Sequence, residues 1–328
     1  MAVTRNDVAR AAGVSPAVVS YVLNDGPRPV SAGARARVLT AIDELGYKPD
    51  GVARYLRTGK TKSVGLVLPD LGLPYFSEFT KAISAAAYRI DHQLLIANTD
   101  WALEQERRQI AALVERRVDA MVFMSVDPSQ DFASLAELGI PVVVIDRPDV
   151  AVRSAAVATE HFITVHGHEN IAIVTNDLLP VVSRRRMQGW ADELARHGLT
   201  TEGRSFGAPP SRAGGFEAAM RMLRQRDRPT AVFVEADAQA IGMIRAAVDL
   251  RIGVPGDLAV ISSEGTELAE FAVPRLSTIQ QPIARLAAGA LDLALAGGPP
   301  GLRRLTDDEF HLVLRESCGC NAQEAARA

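Results

Sequence analysis

The sequence predicts an α/β protein in which a small all-α head precedes a body of two doubly wound α/β lobes. Residues 1–46 carry three short helical patterns with cap residues, and from about Ser63 onward short apolar strands alternate with amphipathic helices. Such alternation is typical of parallel sheets covered by helices on both faces. The chain has 328 residues, more than one ordinary domain, so we expect two to three compact parts.

Each helix of the head has a predicted start or stop in the sequence. Thr4 is a candidate N-cap for the first helix. Ser15 is the candidate cap of the second helix and places Pro16 at the first helical position, where a missing N–H costs nothing. Ser31 is the candidate cap of the third helix, which is expected to end at Gly46.

The body contains enough predicted strands for two parallel sheets. Stretches with helical spacing, such as EQERRQIAALVERR and SRRRMQGWADELARHG, separate them. Ligands of such folds bind beyond the carboxyl ends of the strands. The predicted strands are SVGLVLPD, QLLIANTD, VDAMVFMS, PVVVID, NIAIVTND, TAVFVEAD, DLAVISSE and HLVLRE.

The composition favours a soluble cytoplasmic protein. Hydrophobic residues make up 48% and charged residues 23% of the chain, which is typical of globular proteins. No apolar run reaches the length of a membrane span, and the N-terminal residues lack the apolar core of a secretory signal. The two cysteines, Cys318 and Cys320, are interpreted as reduced thiols because a pair separated by one residue cannot staple a fold.

Charge is distributed unevenly along the chain. Residues 1–62 carry ten Lys/Arg against five Asp/Glu, a net charge of +5, whereas the remainder carries 26 against 34, a net charge of −8. A basic head on an acidic body indicates that the head binds a polyanion. A chance fluctuation of surface charge is the alternative interpretation.

The second predicted helix separates apolar residues from small and polar ones. Its apolar arc holds Val19, Val22 and Leu23, and the opposite arc holds Ala17, Ser20, Tyr21 and Asn24. Gly13 supplies the positive φ that a tight turn between crossed helices needs. This pattern predicts a helix-turn-helix, whose second helix enters the major groove of DNA. A three-helix packing unit without nucleic acid is the alternative.

Longer motifs extend over essentially the whole chain. The head contains TRNDVARAAGVSPAVVSYVLN and VSAGARARVLTAIDELGYKPDGVARYLRTGKT, and the body contains GLVLPD, RRVDAMVFM, GIPVVVIDR, HGHENIAIV, RRRMQGW, RPTAVFV, PRLSTIQQP and VLRESCGC. In these motifs the chain resembles the LacI/GalR family of bacterial transcription regulators. The resemblance implies a helix-turn-helix head and a periplasmic-binding-protein-like body with a cleft between two lobes.

The resemblance also implies where the parts begin and end. The expected parts are a helix-turn-helix DNA-binding domain over 1–49, a hinge helix and linker over 50–62, an effector-binding and dimerisation domain over 63–320, and a C-terminal tail over 321–328. Within the body, lobe 1 is expected over about 63–160 and 282–305. Lobe 2 is expected over about 161–281 and 306–320.

In this family two heads bind a near-palindromic operator, with one recognition helix in each half-site. The resemblance implies base-facing roles for Pro16, Ala17, Ser20 and Tyr21, and phosphate contacts for Thr4, Arg5, Ser15, Asn24 and Ser31. Family members often carry arginine where this chain has Tyr21. Because tyrosine offers one hydroxyl and a ring instead of two parallel donors, the half-site is expected to differ from the family norm.

The hinge match is PDGVARYLR, a segment that in the family folds into a short helix on the operator. Leu56 is the expected minor-groove wedge, and Ala53 permits close approach of the two hinge helices. Arg54 and Arg57 are suited to phosphate contacts. Gly51 lowers helix propensity by about 1 kcal/mol relative to alanine, so the hinge helix is expected to depend strongly on DNA.

The resemblance implies an effector site in the cleft of the body. The expected contacts are Tyr75, Phe76, Arg186, Asp237 and Glu264. Leu73 and Ala236 stand where the family has sugar-binding asparagines. Losing such a partner costs about 1–3 kcal/mol per unpaired group, so a common pyranose is expected to bind poorly. Either the effector has fewer hydroxyls or the pocket is no longer used.

Three other patterns in the sequence do not support a metal site, a nucleotide site or a catalytic site. The segment that contains His161, His166 and His168 runs from the end of a helix to the start of a strand, so we expect that these side chains do not converge on a metal ion. We also expect no cofactor. The TGKT at 58–61 lacks the leading glycine of a P-loop. No Ser-His-Asp spacing or carboxylate pair supports enzyme chemistry.

The sequence thus predicts a sequence-specific DNA-binding regulator, a repressor that binds its operator as a dimer and responds to a small-molecule effector. A solute-binding protein without DNA-binding function is the alternative, and an enzyme on the same doubly wound lobes is a third class. The basic helix-turn-helix and the lack of a secretion signal favour the first.

Overall fold

A computed structural model of the chain describes residues 3–24, 28–48, 55, 59–124, 137, 139–145, 147–297, 299 and 301–320. The chain divides into two compact units, Met1–Thr61 and Lys62–Ala328, which we call the head and the body. Each unit has apolar cores of its own.

Three helices form the described part of the head: α1 (Arg5–Ala12), α2 (Pro16–Asn24) and α3 (Ala32–Leu45). Thr4 caps α1 in a capping box, in which Thr4 Oγ1 donates to Asp7 Oδ2 at 2.6 Å and accepts from the Asp7 amide. Gly13 and Gly46 end α1 and α3 with φ of 63° and 62°, a conformation that favours glycine. The predicted cap and both predicted stops are confirmed.

Serine oxygens cap the other two helices. The amide of Val18 donates to Ser15 Oγ at 3.4 Å, and the amide of Ala34 donates to Ser31 Oγ at 3.3 Å. Each oxygen satisfies an amide that has no partner within its helix. The head core between the helices consists of Val8, Ala9, Ala12, Val19, Val22, Val38 and Ala41, with Leu23 partly buried against it. The inward arc predicted for α2 is confirmed.

Strands and helices alternate along the body. In chain order they are β1 (Ser63–Leu68), α4 (Pro74–Arg89), β2 (Gln93–Asn98), α5 (Leu103–Glu115), β3 (Ala120–Phe123), β4 (Val142–Ile145), α6 (Pro148–Thr164), β5 (Ile171–Asn176), α7 (Pro180–Arg196), β6 (Ser205–Ala208), α8 (Arg212–Leu223), β7 (Ala231–Val234), α9 (Asp237–Asp249), β8 (Ala259–Ser262), α10 (Glu267–Phe271), β9 (Ser277–Gln280), α11 (Ile283–Leu295), β10 (Leu302–Leu305), β11 (His311–Val313) and a 3₁₀ turn (Glu316–Cys318).

The strands form two sheets, one for each lobe. Sheet 1 has the order β10-β4-β3-β1-β2 and its pairs are parallel. Sheet 2 has the order β11-β9-β8-β7-β5-β6, and only β11 in it runs antiparallel to its neighbour. Every residue of β1 and β5 is buried, which is typical of parallel strands covered by helices on both faces. The predicted doubly wound architecture is confirmed.

The chain passes from the first lobe to the second earlier than expected. Helix α6 packs against α7 and β7, and its Ala155, Ala158 and Phe162 belong to the same core as Ile171 of β5. The first segment expected for lobe 1, 63–160, therefore includes most of a helix that belongs to the second sheet. Burial of the apolar face of α6 against sheet 2 is the physical reason.

Three strands, β6, β9 and β10, have no counterpart in the sequence prediction. The sequence of β9 is STIQ, and its Ser277 and Thr278 are fully buried. Their hydroxyls can be buried without great cost because they bond to groups inside the lobe. Strands β6 and β10 lie at sheet edges, where burial is incomplete and the apolar signal is weak.

Helix lengths in the body suit a globular fold. The helices α6 and α7 have 17 residues each, whereas a bilayer span takes about 20 predominantly apolar residues. Among the described residues, no helix combines the length and the apolar character of a membrane span.

Candidate nucleic-acid interface and ligand cavity

The outward face of α2 is the candidate reading surface of the head. Pro16 and Ala17 are exposed, and Ser20 and Tyr21 are half-exposed. Val19, on the opposite arc, is fully buried. The helix therefore presents a proline ring, a methyl group, a hydroxyl and a phenol while its apolar arc is held in the core. These groups can contact base edges and thymine methyls in a major groove.

Helix N-termini supply candidate phosphate contacts. Ser15 and Ser31 use an oxygen lone pair as helix cap, which leaves each hydroxyl hydrogen to donate outward. The positive ends of the helix dipoles point the same way. Thr4 differs because its hydroxyl already donates to Asp7, so a phosphate contact there requires this bond to open or falls to the neighbouring exposed Arg5.

The surface of the head is positively charged. Its described arginines and lysines are mainly exposed: Arg5, Arg10, Arg28, Arg35, Arg37, Lys48 and Lys60. One of them also has a structural role, since Arg37 Nε donates to the carbonyl of Ala12 at 3.0 Å and ties α3 to the end of α1. Arg28 and Arg35, for which the sequence predicts no specific DNA contact, add to this charge.

Several predicted DNA contacts lie outside the described residues. These are the side chain of Asn24 and the hinge residues Ala53, Arg54, Leu56 and Arg57. Of the predicted hinge and linker, 50–62, the structure describes residue 55 and residues 59–62.

A cavity of about 390 Å³ lies in the body where strands of both sheets end. Sheet 1 contributes Met124 after β3 and Ile145 at the end of β4. Sheet 2 contributes Asn176 at the end of β5, Glu235 after β7 and Ser263 after β8. This is the position at which doubly wound folds bind ligands. Four of the five predicted effector contacts, Tyr75, Phe76, Arg186 and Glu264, line it.

One wall of the cavity is aromatic. The rings of Tyr75 and Phe76 are 5.5 Å apart edge to face, and those of Phe76 and Trp101 are 6.0 Å apart in the same arrangement. Burial raises the pKa of Tyr75 to about 12, so the phenol is neutral at physiological pH. Trp101 was missed in the sequence because it stands in a turn after β2. The apolar Leu73 and Ala236 also line the cavity.

An ion pair faces the aromatic wall. Arg186 Nη1 lies 3.7 Å from Glu235 Oε2, which also accepts from Ser183 Oγ at 2.6 Å and from the Asn176 amide at 2.8 Å. Arg186 Nε, Glu235 Oε1 and Ser263 Oγ are buried without a protein partner. Because buried polar atoms are normally hydrogen-bonded, these three atoms are candidate ligand contacts.

Asp237 does not line the cavity, so its predicted effector contact is wrong. Its side chain is fully buried and accepts from Ser262 Oγ at 2.5 Å, from Thr278 Oγ1 at 3.1 Å and from both the amide and the hydroxyl of Thr266 at 2.7 Å. Both carboxylate oxygens are thus used inside lobe 2. Asp237 organises the ends of β8 and β9 behind the cavity.

The pKa values of Glu235 and Glu264, the two glutamates of the cavity, are both raised. Burial raises the pKa of Glu264 well above its usual value, and the charge of Asp237 raises it further. Glu264 Oε2 accepts the Asp237 amide at 2.9 Å, which partly offsets this. Burial also raises the pKa of Glu235, and the guanidinium of Arg186 opposes that shift.

Arg147 is a further cavity residue that the sequence did not indicate. Its guanidinium donates to Gln281 Oε1 and to the carbonyls of Asp307 and Glu309. These partners belong to two different connections between the lobes, so Arg147 joins the chain crossings at the cavity. Burial lowers its pKa, and the nearby Tyr75 and Asp307 oppose this.

A second cluster of polar side chains lies in lobe 2, away from the cavity residues. His161 Nε2 and His166 Nε2 are 3.2 Å apart, and the thiols of Cys318 and Cys320 lie beside them. The expectation that the histidines do not converge is wrong for these two. Burial, reinforced by His166, lowers the pKa of His161 to about 4. His168 is separate, since its Nδ1 lies 3.0 Å from Thr230 Oγ1.

Comparison with known families covers both units. Residues 4–50 match the family model described as bacterial regulatory proteins, lacI family. Residues 159–318 match the model described as a periplasmic binding protein-like domain. Together the two models include more than half of the chain.

Curated relatives match over most of their length. The chain is 32% identical to the HTH-type transcriptional repressor PurR of Photobacterium profundum, over 96% of this chain and 98% of that protein. It is 31% identical to catabolite control protein A of Priestia megaterium, and 31% identical to the ribose operon repressor of Escherichia coli (strain K12), in both cases over 89% of this chain and 92% of the relative.

Solved structures share the fold over nearly the whole chain. The lac repressor dimer bound to operator and the anti-inducer ONPF has a TM-score of 0.85 at 26% identity, covering 97% of this chain and 99% of that one. The lac repressor bound to ONPG in the repressed state has a TM-score of 0.84 at 27% identity, covering 97% and 100%.

Proposed function

This chain belongs to the LacI family of bacterial regulatory proteins, and from that membership we propose that it represses transcription by binding a near-palindromic operator as a dimer. Two of the curated relatives named above, PurR and the ribose operon repressor, are repressors by name, which supports a DNA-binding regulator and not an enzyme. The observation that carries the proposal is the outward face of α2, which lies opposite a buried apolar arc in a positively charged head.

In the proposed complex α2 enters the major groove and Tyr21 contacts base edges. The exposed methyl of Ala17 is suited to a thymine methyl, and the Tyr21 hydroxyl to one acceptor or donor on a base. Ser20 and Pro16 complete the face. Since this face lacks an arginine, we expect a half-site that depends less on guanine than the sites read by arginine-bearing relatives.

Contacts to DNA phosphates supply affinity and fix the position of the head along the duplex. We assign them to Arg5, Ser15 and Ser31 in the described part of the head, and by family resemblance to Thr4, Asn24, Arg54 and Arg57. Leu56 is the proposed minor-groove wedge, with Ala53 at the approach of the two hinge helices. Neutralised phosphates release counterions, so binding should weaken steeply with salt.

The effector is proposed to be a small molecule with an apolar or aromatic face and few hydroxyls. The aromatic wall of Tyr75, Phe76 and Trp101 is suited to such a face. The unpartnered atoms of Arg186, Glu235 and Ser263 are suited to one cluster of polar groups. A hexose would lie against Leu73 and Ala236 with hydroxyls unpaired. Such a loss costs about 1–3 kcal/mol for each group.

The regulator acts where chromosomal DNA is found, and we therefore propose a cytoplasmic location. The proposed domain organisation has the DNA-binding domain over 1–49, the hinge and linker over 50–62 and the effector-binding, dimerising body over 63–320. Within the body we assign residues 148–164 to lobe 2, because Ala155, Ala158 and Phe162 share a core with β5.

Selection of duplexes from a random pool tests the proposed function. The full chain should enrich a near-palindrome of two half-sites, and the enriched duplex should bind two chains in analytical ultracentrifugation. Repetition with candidate metabolites should then identify compounds that release or strengthen the complex. Enrichment of no motif, from pools at low and moderate salt, would contradict operator recognition. Failure of every metabolite with an intact motif would contradict only the effector.

A further inference from the structure

Two histidines from the middle of the body and two cysteines from its C-terminal segment meet in lobe 2. His161 lies near the end of α6, and His166 follows in the turn before β5. Cys318 ends the 3₁₀ turn near the C-terminus, and Cys320 follows it. The four candidate ligand atoms all lie within 4.8 Å of one another.

Three of the four ligand atoms lie at distances that match a tetrahedral metal, and Cys318 Sγ lies within 4.8 Å of each of them. Cys320 Sγ lies 3.6 Å from His161 Nε2 and 3.4 Å from His166 Nε2, and the two nitrogens are 3.2 Å apart. Zinc bonds of about 2.05 Å to nitrogen and about 2.3 Å to sulfur require, at tetrahedral angles, about 3.3 Å between nitrogens and about 3.6 Å between nitrogen and sulfur. One ion would thus bind all three atoms without rearrangement of the chain.

The types of ligand atom in the cluster indicate which metal ion it would bind. Cysteine sulfur and imidazole nitrogen in a tetrahedral set are typical of zinc. Two thiolates and two neutral imidazoles give a complex with no net charge around Zn²⁺, which suits the burial of His161, Cys318 and Cys320. With four protein ligands and little access for solvent, such a site is structural. We propose that His161, His166, Cys318 and Cys320 bind one zinc ion.

A hydroxyl outside the ligand set donates to the sulfur of Cys318. Ser277 Oγ accepts the amide of Arg315 at 2.8 Å and lies 3.1 Å from Cys318 Sγ. The Ser277 hydroxyl thus accepts from the amide and donates its hydrogen to the sulfur. Hydrogen bonds of this kind orient and stabilise metal-bound thiolates. The sulfur also lies 3.5 Å from the Arg315 carbonyl, the partner that a protonated thiol would use.

Gly319 allows the histidine to approach the cysteine loop. Its φ is 100°, and a Cβ built on it would stand 3.2 Å from Cε1 and 3.4 Å from Nδ1 of the His166 ring. A side chain at this position would therefore crowd the ring and require it to shift by a few tenths of an ångström. The backbone conformation also places Cys318 and Cys320 on one side of the turn.

The zinc ion would join the C-terminal segment to the α6–β5 connection. The ligand pairs are separated by about 150 residues in sequence, and the cysteines already pack in the same core as Phe162 and Ile171. Because the ion binds the folded body and not the separated ligands, it should stabilise this lobe. Its binding releases the two thiol protons to solvent.

Metal analysis of the full chain, purified under reducing conditions without a metal-affinity tag, tests the proposal. Mass spectrometry of the elements should find one zinc per chain. After chelation, added Co²⁺ should give a thiolate-to-cobalt charge-transfer band and the intense visible bands of a tetrahedral site. Zinc added back should remove those bands and raise the melting temperature above that of the chelated protein.

Matched variants separate ligation from folding. Cys320→Ser should lose stoichiometric zinc, whereas His168→Gln alters a histidine of the same turn that bonds Thr230 and should retain one zinc per chain. Ser277→Ala keeps all four ligands and should weaken zinc binding about 10- to 100-fold, the usual effect of losing such a supporting group. If Cys320→Ser does not fold, the zinc affinity of Ser277→Ala tests the proposal by itself.

Several results would overturn the proposal. One is a wild-type chain that is purified without zinc and shows no charge-transfer band with Co²⁺, which would identify a hydrogen-bonded thiol–imidazole cluster. Equal zinc affinity in wild type and Ser277→Ala, with Cys320→Ser still binding one ion, would place the metal elsewhere.

Discussion

Arg186 Nη1 lies 3.7 Å from Glu235 Oε2 in the cavity of the body, and each side chain has a further polar atom without a protein partner. The pair is therefore electrically matched but incompletely hydrogen-bonded. That combination is typical of a site that a ligand completes. It also makes the two residues dependent on each other.

Replacing Arg186 should destabilise the folded chain more than replacing Glu235 does. Arg186→Met leaves the buried carboxylate of Glu235 without its countercharge and should lower the free energy of unfolding by about 1–3 kcal/mol. Glu235→Gln keeps an acceptor for Ser183 Oγ and the Asn176 amide, so its effect should be smaller. The double variant should be more stable than Arg186→Met alone. Urea unfolding of the four proteins gives the coupling, and additive effects would show that the pair does not interact.

Tyr21 should contribute specificity and not general affinity for DNA. Tyr21→Ala should weaken binding to the selected operator about tenfold, within the range of a base-edge contact, and leave binding to a scrambled duplex unchanged. Tyr21→Phe distinguishes the hydroxyl from the ring. Tyr88→Ala removes a tyrosine that is 81% exposed on the body and should change neither affinity. A fluorescence anisotropy titration in which Tyr21→Ala binds both duplexes like wild type would remove Tyr21 from the reading face.

The contact between α8 and α9 should not tolerate a methyl group. A Cβ at Gly242 would lie 1.9 Å from the carbonyl oxygen of Arg212, a backbone atom that cannot rotate away. Gly242→Ala should therefore lower the free energy of unfolding by about 1–3 kcal/mol or more. Gly256→Ala is the control, because a Cβ there meets nothing within 4 Å. Equal melting temperatures for the two variants would contradict this packing.

Glu264→Gln should stabilise the body most strongly at high pH. Since the folded chain raises the pKa of Glu264, it holds this proton to a higher pH than the unfolded chain does. Stability is therefore lost as the pH rises from about 4.5 through the raised pKa. Glutamine removes this loss and can still accept the Asp237 amide. Melting temperatures from pH 5 to pH 8 should diverge in favour of the variant, while Glu202→Gln, at an exposed carboxyl, should follow wild type. A constant difference across this range would contradict the proposed cause.

The head could be predicted closely because its signals are local. Thr4, Ser15 and Ser31 cap helices through neighbours three residues away, and Gly13 and Gly46 stop helices through their own φ. Propensity, capping and amphipathic spacing all indicate the same structure in such a segment. No long-range contact was needed to place the outer face of α2.

The cavity could be predicted only in part because it is assembled from distant segments. Tyr75 and Arg186 were found through motifs next to recognisable elements. Trp101 and Arg147 were missed because a turn and a lobe connection carry no periodic signal. Asp237 was misplaced because its position in a motif did not reveal the hydroxyls that surround it.

The histidine–cysteine cluster shows the same limit. His161, His166 and His168 lie in one segment, whose spacing alone does not predict that two of them converge. Their partners, Cys318 and Cys320, are about 150 residues away and were interpreted separately. The mainly parallel sheet of lobe 2 and the returning C-terminal segment bring these groups together, and neither periodicity nor spacing contains that information.

Titration of the selected duplex and of a scrambled duplex across a series of salt concentrations tests the central claim most directly. The full chain should bind the selected duplex at least about 1,000-fold more tightly than the scrambled one, and both affinities should fall linearly on a logarithmic salt scale. Equal affinity for the two duplexes at every salt concentration, or binding that ignores salt, would contradict sequence-specific operator recognition by the head.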